Sequence, residues 1–94
     1  MDRFKKECAK LKKKGVKVKL VTSRVLDDYA GMNPRAAKDM HFNGCPKDAI
    51  LIRRDLSLRD KDQTLRHEVF EQNEMKRNGG KYYPAHKKAM RKIG

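Results

Sequence analysis

Apolar residues recur along this 94-residue chain in alternating helical and strand-like patterns. Phe4, Cys8 and Leu11 stand at i, i+4 and i+7 among lysines, which predicts a basic helix over residues 2–14 with one narrow apolar stripe, ended by Gly15. Val16, Val18 and Leu20 then alternate with Lys17 and Lys19, the period-two pattern of a strand with one buried face. Residues 21–26 either extend that strand or turn away from it. Residues 27–31 read as a connection. Asn33 followed by Pro34 supplies an N-cap and a first helical residue, predicting a short helix to about residue 42 with Ala36, Ala37 and Met40 on its inner side. Asn43, Gly44, Cys45 and Pro46 interrupt the chain, and Ala49, Ile50, Leu51 and Ile52 form an apolar run fitting a buried strand.

The second half of the chain predicts a helical hairpin. Ser57 with Asp60, or Asp60 with Gln63, makes a capping-box pattern ahead of a helix over about residues 59–77. On a helical wheel Leu58, Leu65 and Val69 share one side with Phe70 on its flank, while Thr64, His67, Glu71 and Glu74 gather opposite. Gly79 and Gly80 end this helix, and Pro84 opens another in which Ala85, Ala89 and Ile93 recur on one side beside His86 and Met90. Lys87, Lys88, Arg91 and Lys92 take its other side. The expected fold is a small single α+β domain over residues 1–94, ordered helix, strand, short helix, strand, helix, helix.

That hairpin carries the chemistry. In a helix, His67 and Glu71 project from the same face and can grip one ion, with Glu68 about 100° further round where it can act on a bound water. This is the logic of the zinc-peptidase string H-E-x-x-H, with a glutamate in place of the last histidine. A carboxylate ligand suits zinc and also makes manganese or iron more acceptable than an all-imidazole site would. The competing reading is a solvated face of an amphipathic helix. A return through the glycines brings the inward His86 back over the central helix, within reach of Glu71 or His67; a satisfied core histidine is the alternative there. His41, near a turn, is a further candidate ligand.

Together, His67-Glu68, Glu71, Met75, Gly79, Tyr82 and Ala85-His86 spell H-E-x-x-E-x3-M-x3-G-x2-Y-x2-A-H. This string resembles a signature of small zincin-like (metallopeptidase-like) proteins and domains of phages, prophages and archaea, some of them parts of larger head-associated proteins, whose activity is itself inferred from the motif. The resemblance covers residues 67–86 and fits the preceding apolar strand. It implies a metal held by His67, Glu71 and His86, with Glu68 as catalytic base. Glu74 stands where those proteins carry an apolar residue, so either the wall of the site differs here or Glu74 itself binds.

Charge adds a second line. The net charge is +13, and 39% of residues are charged. Residues 1–19 carry nine Lys/Arg against two acids and residues 76–94 carry seven against none, whereas residues 20–75 carry nine against ten. Basic ends around a balanced centre suit contact with DNA or RNA phosphates; a solubility device is the alternative. No apolar run approaches the roughly 20 residues of a membrane span, and no signal peptide is visible, so an intracellular, soluble protein is expected. Cys8 and Cys45 make no C-x-x-C pair and are expected as free thiols, a single disulfide being the alternative. Two functions follow. One is a metal-dependent hydrolase acting on an amide, or on a phosphodiester. The other is a non-enzymatic nucleic-acid-binding protein in which the ion or a polar cluster merely ties the last two helices together.

Overall fold

The fold is built on one strand whose four apolar residues in a row are buried on both faces, as a strand covered on both sides requires. In the computed structural model, which describes residues 2–94, this is β3 (Ala49–Arg53), with Ala49, Ile50, Leu51 and Ile52 at most 2% exposed. β1 (Lys17–Val21) pairs with it in parallel, Val18 opposite Ile50 and Leu20 opposite Ile52. β2 (Gly31–Met32) pairs antiparallel on its other side, Gly31 opposite Ile52 and Met32 opposite Leu51. The result is a three-stranded mixed sheet in the order β1-β3-β2. With five helices it makes a small α+β domain.

α1 (Arg3–Lys13) is capped by Asp2, whose carboxylate accepts from the N–H groups of Phe4 and Lys5. Its stripe buries Phe4 and Leu11 against Ile50, Ile52 and Leu65, with Cys8 at the margin. A second cluster, on Leu51, joins Leu26, Met32, Ala36, Ala37, Met75 and Ala85. α4 (Leu58–Arg77) contributes Leu65 to the first cluster and Met75 to the second. α5 (Tyr82–Lys92) returns along α4 after Gly79 and Gly80, whose φ values of 80° and 88° are reached by glycine without steric cost.

Several expectations are corrected. Residues 21–26 turn away from the strand into a four-residue helix, α2 (Ser23–Leu26), and the expected connection over residues 27–31 ends in β2, a third strand. α3 (Pro34–Asp39) has the expected Asn33 cap but stops short of residue 42, because His41 takes φ 56°. α5 begins two residues before Pro84, its Tyr82 N–H donating to Asp39 Oδ2. Leu20 is 43% exposed, and Met90 is 52% exposed. Leu58, expected inward, is 59% exposed, while His67 and Glu71, on the side expected to be polar, are buried, as is Glu68. α4 therefore has two covered faces: α1 and β3 lie against it on one side, and β2, α3 and α5 also pack on it. Both cysteines are free thiols. No helix among the described residues is long and apolar enough to cross a membrane.

Candidate metal centre

Ser57 fixes the register of α4 by accepting from the Asp60 N–H at 3.1 Å, which selects the first of the two capping patterns. From that start the helix carries His67 and Glu71, one turn apart, to the face covered by α5. His67 Nε2 lies 2.9 Å from Glu71 Oε2, and His86 Nδ1, from α5, lies 2.9 Å from the same oxygen. The two imidazoles meet edge to face, with centroids 5.1 Å apart. Tyr82, one turn before His86, stacks on its ring at 5.1 Å and an interplanar angle of 24°. The three residues named from the sequence as ligands are thus brought together, as the helical return requires.

Each of them offers one ligand atom, and all three atoms lie within 4.8 Å of one another. Ligands at about 2.0–2.1 Å in tetrahedral array stand about 3.3 Å apart, so small side-chain adjustments suffice. His67 and Glu71 are 7% and 1% exposed, while His86 is half-buried and leaves one side open. Among the described residues no Lys or Arg pairs with the Glu71 carboxylate, whose ion-pair partners are the two imidazoles. Two imidazoles and a carboxylate with no competing ammonium or guanidinium form a donor set that can hold a metal ion.

Glu68 lies beside this cluster, 6% exposed. Burial, and then the Glu71 charge, push its carboxyl up to about 8 from an ordinary 4.5, with the His67 charge and then the Asn33 hydrogen bond opposing. The Glu71 hydrogen bond raises the His67 imidazole against the opposing effect of burial. The Tyr82 phenol is raised by burial and by the two nearby carboxylates.

Asn33 is the site residue that sequence reading misses. It is fully buried, and its Nδ2 donates to Glu68 Oε1 at 3.0 Å and to Glu71 Oε1 at 3.1 Å. Its place before Pro34 signals an N-cap, and Oδ1 does accept from the Ala36 N–H at 2.9 Å; nothing in the sequence says where the other end of the amide points. Gly31 is a second such residue. A Cβ there would stand 2.7 Å from Thr64 Cγ2, 3.1 Å from Leu51 O and 3.2 Å from Glu68 Cγ, so only glycine lets β2 approach α4 this closely.

The two extra candidates fall outside. His41 is exposed and faces a separate hollow with Arg35 and Lys38, so it is not a ligand of this cluster. Glu74, one turn beyond Glu71, is held by Lys88 at 3.3 Å and Arg77 at 3.5 Å. It is only partly exposed and does not line the cleft that holds the cluster.

A cleft of about 350 Å³ opens over the cluster between β2, α4 and α5. Tyr29, Leu56 and Met90 give it apolar walls, and Asp60 adds a further carboxylate. None of its lining residues is a Lys or Arg, although the chain has 25. No family model matches the chain, and no curated protein or solved structure matches it either.

Proposed function

We propose that the protein is a metal-dependent hydrolase of peptides, with His67, Glu71 and His86 holding one divalent ion and Glu68 serving as general base. The observation that carries this reading is the convergence of His67 Nε2, Glu71 Oε2 and His86 Nδ1 in a cleft that also contains a buried, spare carboxylate. The string from His67 to His86, with its resemblance to zincin-like proteins, supports the same roles. Zinc suits two imidazoles and one carboxylate best, with manganese or iron as alternatives.

When bound, such an ion supplies Lewis acidity to water and to a carbonyl oxygen. This chain's own residues do the rest. Glu68 takes the proton of the attacking water and returns it to the leaving amine, and a cation nearby favours its ionised form against the burial that opposes it. A peptide bound in the cleft lies against the β2 segment, whose Gly31 and Met32 line the cleft while being themselves largely buried. Tyr29, Leu56 and Met90 then meet the peptide's side chains. An amide is preferred to a phosphodiester because the cleft offers no Lys or Arg to a phosphate and already holds Glu68, Glu71 and Asp60.

The test is cleavage of a peptide library by zinc-loaded wild type and Glu68→Gln. The wild type is expected to cut, and the variant to bind metal equally while losing activity by at least a hundredfold. A wild type that cuts nothing would reject the enzyme reading.

A second reading concerns the surface outside the cleft. Lys5, Lys6, Lys10, Lys12, Lys13 and Lys14 on or just after α1, and Lys87, Lys88, Arg91 and Lys92 on α5, are exposed. They suit contact with DNA or RNA through phosphates, in which case the metal cluster serves to tie α4 to α5. Binding that weakens steeply as salt rises is expected, and no binding at low salt would remove that partner.

A further inference from the structure

The amide of Asn33 has only one orientation open to it. Its oxygen is committed to the Ala36 N–H as the cap of α3, so its two N–H bonds must face α4. There each meets a different carboxylate, Glu68 Oε1 at 3.0 Å and Glu71 Oε1 at 3.1 Å. Rotating the amide would break the cap and turn an oxygen toward two carboxylates. Glu71 is left with its two oxygens in distinct roles: Oε1 faces Asn33, and Oε2 faces both imidazoles. Asn33 also follows directly on Met32 of β2, so one residue joins the strand that borders the cleft to the helix that carries the ligands.

We propose that Asn33 is the positioning residue of the metal centre: by occupying Glu71 Oε1 it holds Glu71 to one-oxygen ligation through Oε2, and so biases the site toward zinc over manganese. This rests on the metal reading above. The physical reason lies in coordination number. A glutamate free to chelate through both oxygens raises the count and the oxygen content of the shell, which manganese favours; one restricted to a single oxygen leaves three protein donors, which zinc accepts as a four-coordinate ion with one open place. A positioned second donor also saves the ion from ordering a mobile carboxylate.

The experiment compares the full chain with Asn33→Ser and Asn33→Ala. Serine retains an oxygen able to cap α3 but is too short to reach the carboxylates; alanine does neither. Zinc and manganese affinities are measured by competition titration, and the visible spectrum of the cobalt-loaded protein reports coordination number. Asn33→Ser is expected to weaken zinc binding about 10–100-fold while weakening manganese binding less, with cobalt bands that lose intensity as the coordination number rises. A cap alone predicts something different: a less stable Asn33→Ala, a serine variant close to wild type, and zinc affinity and cobalt spectrum unchanged in both. That result would overturn the inference while leaving the metal reading intact. Wild type that takes up neither zinc nor cobalt would overturn both. Should the variants fail to fold, the zinc-loaded wild-type structure decides, since Glu71 chelating through both oxygens contradicts the proposal and ligation through Oε2 with Asn33 still on Oε1 upholds it.

Discussion

Replacing Gly31 with alanine tests how the cleft is built. The added Cβ would lie 2.7 Å from Thr64 Cγ2, with Leu51 O at 3.1 Å and Glu68 Cγ at 3.2 Å. None of these neighbours gives way easily. Thr64 is β-branched on a helix and stiff at χ1, Leu51 O belongs to the central strand, and Glu68 is held by Asn33. Overpacking of this kind costs about 1–3 kcal/mol, while alanine recovers about 0.5–1 kcal/mol by restricting the unfolded chain. The net loss is about 1–2 kcal/mol, which for a domain of this length lowers Tm by about 4–16 °C. Thermal denaturation followed by circular dichroism in the presence of a chelator measures it without contribution from bound metal. Adding Thr64→Ser removes the closest atom and is expected to restore part of the loss. A Gly31→Ala protein as stable as wild type, or one that Thr64→Ser fails to rescue, would refute the close approach of β2 to α4.

Further outcomes follow from the buried carboxylates. In chelator, Glu68 binds its proton more tightly in the folded state, titrating near 8 against an ordinary 4.5, so its contribution is full below about pH 4.5 and is lost as pH rises through about 8. His67, also raised, acts with the same sign from its ordinary 6.5 upward. The metal-free protein is therefore expected to lose on the order of 4 kcal/mol between pH 5 and 8 in urea titrations. Glu68→Gln should flatten most of that slope, and a stability that rises with pH would contradict it. Glu74→Gln is expected to leave zinc affinity within about threefold of wild type, because Glu74 pairs with Lys88 and Arg77. A tenfold loss by calorimetry would place it in the site after all.

The hairpin was legible because its signals are local. A spacing of four puts His67 beside Glu71, the two glycines force a return, and Ala85 and Ala89 turn His86 inward. The second strand edge was not legible, because Gly31 and Met32 are too few to show a period and become a strand only through Ile52 and Leu51. A helical wheel divides α4 into one apolar and one polar side, yet the polar side is covered by other elements and buried by hydrogen bonds among Asn33, Glu68, Glu71 and the imidazoles. Sequence shows that Asn33 can cap a helix; only the fold shows which groups its amide nitrogen meets. The same holds for Glu74 and His41, whose residue types suit a metal but whose positions face Lys88 and an open hollow.

The shared ion is tested most directly by titrating chelator-treated protein with zinc while recording stoichiometry and Tm, for wild type and for His86→Ala. One equivalent bound by wild type is predicted, with stabilisation of about 4 kcal/mol once free zinc reaches about a thousand times Kd, and at least a hundredfold weaker binding without the imidazole of α5. No uptake and no rise in Tm, or zinc bound equally well by His86→Ala, would contradict the account.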